Sequence, residues 1–183
     1  ATFWGLDLNS ELVFVGDAGT TEARGATRRY GVEAGARGQI YGPLHFNGSL
    51  TWTHAEFKDT GLAIPLAPEL TAYAALLLRW PEGLSSQVQM TYLGVRPLTE
   101  DRTVNAPSWL DFDVTERYQL PIKLSHGRLE AFLFVQNIFD TNWEGATFAF
   151  TSRLPNEPAG GVQDIHFVPG NPRFFMGGVA WYF

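Results

Sequence analysis

The sequence predicts an all-β protein, an antiparallel transmembrane β-barrel or a wall segment of one. Three observations predict it. Apolar and polar residues alternate with period two along most of the chain. Short turns and long connections follow one another between the alternating runs. The chain ends on an aromatic residue, Phe183, in register with the last run.

The 183 residues divide into eight such runs: 2–16, 28–41, 44–57, 69–81, 84–96, 109–120, 127–140 and 173–183. Several exceed the usual five or six residues of a strand. All reach the roughly 9–11 residues that a strand needs to cross a bilayer. The first run sets Trp4, Leu6, Leu8, Leu12 and Phe14 against Asp7, Asn9 and Glu11. The second sets Tyr30, Val32, Ala34 and Ile40 against Arg29, Glu33, Arg37 and Gln39. In the third, Leu44, Phe46, Gly48, Leu50 and Trp52 oppose His45, Asn47, Ser49, Thr51 and Thr53. In the sixth, Leu110, Phe112, Val114, Tyr118 and Leu120 oppose Asp111, Asp113, Thr115, Arg117 and Gln119.

Gly42-Pro43, Glu82-Gly83 and the segment 121–126 are the short connections. The long ones are 17–27, 58–68, 97–108 and 141–172. A soluble antiparallel barrel or sandwich would alternate too. It would not place charges in the middle of strands, which a wet lumen allows. Nor would it gather aromatics at strand ends on the apolar face, where Trp4, Phe46, Trp80, Tyr118 and Trp181 are expected to form an interfacial girdle.

Composition narrows the function. With 13 Lys plus Arg against 19 Asp plus Glu the net charge is −6, and the pI is near 5.1, which argues against nucleic acid as a partner. An aromatic fraction of 14% with only 17% charged residues is the reverse of a disordered chain. No cysteine is present, which removes disulfides, thiolate metal sites and a cysteine nucleophile. The longest apolar run, 72–78, is far short of the roughly 20 residues of a membrane-spanning helix.

Several stretches resemble one family, the TonB-dependent outer-membrane receptors. Val135-Gln136-Asn137-Ile138-Phe139-Asp140 is similar to the motif ahead of that family's last long loop. Residues 10–22, followed by Arg28-Arg29-Tyr30-Gly31-Val32-Glu33, resemble a hairpin found well into the barrel. Ile64-Pro65 with Pro68 resembles the loop ahead of the next outgoing strand, and Gly170-Asn171-Pro172-Arg173 resembles the approach to the final strand. The C-terminal pattern Phe175, Val179, Trp181 and Phe183 resembles the signal that the barrel assembly machinery reads.

The resemblance implies a bacterial outer-membrane protein that takes up a small ligand, such as a metal chelate or siderophore. It implies a barrel of 22 strands, of which this chain matches the last eight. It implies outer-membrane lipid, a plug and the remaining strands as partners, with TonB reached only through the plug. Residues 1–183 are expected to be one barrel segment without a plug. The alternative is a closed eight-stranded barrel, standing alone with a structural or adhesive role.

Ligand-facing candidates in the long loops are Arg24, Arg28, Arg29, Arg102, Arg153, Asp164 and His166. Lumen charges are expected at Glu11, Glu33, Arg37, Arg79, Asp111, Asp113, Arg117 and Glu130, where they would pair across the interior or face water. Phe132 and Phe134 fall on the same side and suit a packed contact better than open water. The four histidines lack metal-ligand spacing, and Ser108, Asp101 and His166 share no catalytic spacing. No catalytic set, metal or cofactor is expected. Glu116 falls on the otherwise apolar face of the sixth run without explanation.

Overall fold

The computed structural model describes residues 1–15, 20–122 and 126–183. Gly16 to Gly19, part of the hairpin resemblance, and residues 123–125, inside one expected short turn, lie outside the described residues, as does the facing of Phe14.

Eight strands form one antiparallel sheet. In chain order they are β1 (Thr2–Leu8), β4 (Thr27–Tyr41), β5 (Leu44–Phe57), β6 (Leu70–Arg79), β7 (Leu84–Leu93), β10 (Trp109–Gln119), β11 (Arg128–Gln136) and β14 (Phe174–Tyr182). Each pairs with its neighbours in that order, so β1 and β14 are the two edges. The sheet does not close on itself, which corrects the closed eight-stranded alternative. Three two-stranded hairpins stand apart: β2 (Glu11–Val15) with β3 (Thr20–Arg24), β8 (Arg96–Pro97) with β9 (Asn105–Ala106), and β12 (Glu144–Ser152) with β13 (Val162–Pro169). The β12–β13 hairpin lies in a connection read as a long loop, whereas β2 falls inside the first expected run and β8 begins at the end of the fifth, so the other two hairpins straddle an expected strand and the connection after it; all three join the same end of the sheet.

Register fixes the two faces, because residues directly opposite in an antiparallel pair point to the same side. One row runs Gln39, His45, Leu77, Gln87, Thr115, Phe134, Met176. The next row on the other face runs Gly38, Phe46, Leu76, Val88, Val114, Val135, Phe175. The predicted polar and apolar faces therefore hold from β4 to β14.

The first strand departs from expectation twice. The run 2–16 breaks after Leu8, where the Ser10 hydroxyl donates to the Arg24 carbonyl at 3.0 Å and the chain turns into the β2–β3 hairpin. β1 also presents the unexpected face. Trp4, Leu6 and Leu8 pair with Gly31, Arg29 and Thr27 on the polar side, while Phe3 and Asp7 share the side of Val32 and Arg28. Trp4 thus leaves the expected apolar girdle. Gly31 allows this: a Cβ there would stand 2.8 Å from the Trp4 ring.

At the long-connection end the excursions build two small cores. Val13, Ala55, Phe57 and Ile64 form one, and Leu98, Ala106 and Ala149 the other, with Leu66 and Val104 packed against it. Main-chain bonds tie the excursions together: Ala63 N–H to Glu100 C=O at 2.9 Å, and Leu66 N–H to Pro97 C=O at 2.8 Å.

Candidate functional site: the loop-bearing end and the polar face

Asn137 organises the junction where β11 leaves the sheet. It adopts a positive φ of 48°, which Asn tolerates better than most residues, and is 1% exposed. Its side-chain amide donates to the carbonyls of Thr141 at 2.9 Å and Asn171 at 3.0 Å, and its oxygen accepts the Thr141 N–H at 2.8 Å. Its own N–H goes to Asp113 Oδ1 at 3.0 Å. Asp140, also at positive φ, accepts the Arg173 N–H at 3.0 Å, and Arg173 reaches the Ile138 carbonyl at 3.3 Å. The two motifs 135–140 and 170–173 are therefore one knot that brings both ends of the longest excursion together. The seventh strand stops at Gln136 for this reason, four residues before the expected boundary.

The predicted loop cations have partners that already engage them. Arg28 and Arg29 lie in β4 rather than in a loop, which corrects their assignment. Arg28 pairs with Asp7 at 3.1 Å. Arg29 bonds Glu11, whose other oxygen accepts the Thr27 hydroxyl at 2.7 Å. Glu11 therefore clamps the foot of the β2–β3 hairpin and is no strand residue of the main sheet. Arg24 pairs with Glu100 at 2.6 Å, and Arg102 with Glu69, so both join excursion to excursion. Among the described residues Arg153, alone of these five, has no carboxylate contact; its Nε donates to the Glu157 carbonyl at 3.3 Å.

Asp164 and His166 lie in β13, a strand rather than an irregular loop, and point to one side of it. Asp164 accepts the Ser152 hydroxyl at 3.0 Å, and the His166 ring stacks on Phe150 at 3.8 Å with Nε2 buried and unpartnered. No group of three metal-ligating side chains gathers among the described residues.

The polar face holds the other predicted charges. Arg117 pairs with Glu130 at 2.9 Å, across β10 and β11. Asp111 and Asp113 do not meet Arg117: Asp113 serves the Asn137 knot, and Asp111 accepts the Phe112 N–H at 2.8 Å. Glu33, Arg37 and Arg79 lie on the face by register without an ion-pair partner among the described residues. Phe132 packs over Gly178, where an added Cβ would stand 2.8 Å from its ring, and Phe134 lies opposite Met176.

Sequence reasoning missed a cleft of about 500 Å³ at the loop-bearing end, lined by Phe112, Phe139, Asn142, Glu144 and a pair of tryptophans. Trp109 and Trp143 stack there at 4.4 Å. No periodic signal in the sequence marks Trp143. Nearby, Arg96 is 6% exposed, with one guanidinium nitrogen 3.5 Å from the Thr147 hydroxyl. Burial lowers its pKa, and the charge of Glu144 opposes that shift.

Phe175, Val179 and Trp181 lie on the apolar side of β14, each more than half exposed, and Phe183 follows the strand at 96% exposure. Glu116, unexplained from sequence, accepts the Ser86 hydroxyl at 2.6 Å, and Ser86 accepts the Trp80 indole N–H at 2.9 Å.

A sheet with one polar and one apolar face, short turns at one end and interlocked hairpins at the other, defines the wall of an antiparallel β-barrel. A family model described as "TonB dependent receptor-like, beta-barrel" matches residues 1–138, and the chain belongs to that family. Among solved structures, the ferric-catecholate import receptor Fiu from Escherichia coli K12 aligns over 97% of this chain and 24% of its own, at 20% identity and a TM-score of 0.66. BauA, the ferric preacinetobactin receptor from Acinetobacter baumannii, aligns over 98% and 26%, at 16% identity and 0.69. The copper transporter OprC aligns over 87% and 25%, at 19% identity and 0.63. The chain thus spans about a quarter of the length of these proteins. No curated protein matches the sequence.

Proposed function

We propose that the chain is the C-terminal barrel wall of an outer-membrane transporter that takes up a small ligand, such as a metal chelate, with energy coupled through TonB. Its polar face lines the lumen, its apolar face meets outer-membrane lipid, and its interlocked hairpins face outward. A plug and the remaining strands complete the barrel, and TonB engages the plug. The barrel assembly machinery reads Phe175, Val179, Trp181 and Phe183. The observation that carries this reading is the register, which sorts polar from apolar residues across seven consecutive strands.

Of the loop candidates, Arg153 with the Asp164 and His166 side of the β12–β13 hairpin faces the ligand, because the other arginines hold carboxylates of this chain. The experiment is uptake of labelled ferric and copper chelates by cells with and without the receptor gene, each with TonB active or inactivated. TonB-dependent loss of uptake of one chelate supports the reading. Unchanged uptake of the whole panel overturns it for metal chelates.

A further inference from the structure

We propose that Glu116, Ser86, Trp80 and Tyr118 seat the primary ammonium headgroup of a phospholipid on the apolar face; this rests on the reading above that the face meets lipid. Two neighbouring rows of residues make the seat. Trp80, Leu84 and Tyr118 lie abreast next to the short turns: Trp80 donates its main-chain N–H to the Leu84 carbonyl at 2.9 Å, and Leu84 pairs with Tyr118. The next row towards the middle of the sheet is Leu78, Ser86, Glu116, Leu133 and Gly177. Trp80 donates its indole N–H to the Ser86 hydroxyl at 2.9 Å, and Ser86 donates to Glu116 Oε2 at 2.6 Å. This relay fixes the carboxylate beside the aromatic row and leaves Oε1 without a hydrogen bond among the described residues.

The described residues supply no counter-charge there. Arg37, Arg79, Arg117 and Arg128, their cations in the short-turn half of the sheet, all fall on the polar side by register. A carboxylate facing hydrocarbon without a partner is unfavourable, so its partner comes from the bilayer. An ammonium group fits this site better than a metal ion. Calcium and magnesium demand about six or more oxygen ligands, more than Glu116 and Ser86 offer. An ammonium needs only acceptors for its N–H groups, and Oε1 is open to one. The rings of Trp80 and Tyr118, 48% and 37% exposed, add the attraction of an aromatic face for an organic cation. Leu133, directly opposite Glu116 and 46% exposed, offers apolar surface to the acyl chains of the same molecule.

The test uses the full-length receptor in detergent, stripped of lipid and offered phosphatidylethanolamine, phosphatidylglycerol and phosphatidylcholine of identical acyl chains. Native mass spectrometry reads the lipid retained. The expected result is a severalfold preference for phosphatidylethanolamine over phosphatidylglycerol. Phosphatidylcholine should fall between them, because its quaternary nitrogen keeps the charge but has no N–H. Glu116→Gln should abolish the preference. Trp80→Phe, which keeps a ring but removes the indole N–H, should weaken it. The heat-modifiable barrel form checks that each variant has folded. Equal retention of the three lipids by the unaltered receptor overturns the proposal and leaves the transporter reading standing, as does a preference that survives Glu116→Gln. A fluorophore attached through Leu133→Cys reports separately on the face. Quenching by brominated acyl chains supports its contact with lipid, and lack of quenching overturns that contact and the headgroup seat together.

Discussion

Asn137 uses all of its side-chain oxygen and both amide hydrogens that the knot can reach, and it does so in a fully buried position. Asn137→Ala would leave a buried N–H and two carbonyls unpaired, a loss of about 2–4 kcal/mol at the usual cost of unsatisfied groups. The heat-modified band shift of the receptor on a semi-native gel should move to lower temperature. Asn137→Asp, which keeps the acceptor for Thr141, should fall between the two. Asp101 offers a second test. The Thr99 hydroxyl, then the amide and hydroxyl of Thr103, hold its carboxyl below the ordinary aspartate range. Its folded pKa is thus lower than its unfolded one, so the stabilisation is present above the unfolded value, about 3.9. It is lost as pH falls through the folded value. Amide exchange of Thr103 and Val104 should accelerate only in that acid window, and Asp101→Asn should show the fast exchange at neutral pH.

At the scale of the strand, the alternation was legible because each face of β4 to β14 keeps one chemistry over many residues. β1 was not, because its facing is set by pairing with β4 and not by its own pattern. Both faces of β1 carry large apolar residues, Phe3 on one and Trp4 and Leu6 on the other. Gly31 decides between them by leaving room for the indole. Gly31→Val would put a Cβ 2.3 Å from the Trp52 carbonyl oxygen as well as against Trp4. The expected cost is about 1–3 kcal/mol of overpacking, and β1 amides should lose exchange protection before those of β5. The five-residue β3 and the two-residue β9 leave too short a period to detect, whereas β12 and β13, with nine and eight residues, were long enough and were still read as loop. The motif at 135–140 was visible in the sequence, but its partner Asn171 lies 34 residues away, and only the fold brings them together.

For the molecule as a whole, the two free edges of the sheet bear on the transporter reading. In lipid, unpaired backbone groups are strongly unfavourable, so β1 and β14 require neighbours that this chain does not supply to itself. The exposed C-terminal aromatic belongs to the same scale. Phe183→Ser should lower the amount of receptor reaching the heat-modifiable barrel form, measured in outer-membrane fractions, at the loss of one ring contact, with Trp181 at 5.5 Å, and no strand pairing. A normal yield would count against its role as an assembly signal. The excursions at the other end are bound to one another by main-chain bonds, two small cores and the pairs Arg24–Glu100 and Arg102–Glu69. This interlocking constrains descent as well as motion. A change in the length of any one excursion disturbs its neighbours, so on the transporter reading new ligand preferences would arise by exchanging exposed side chains on a fixed lattice and not by insertion or deletion.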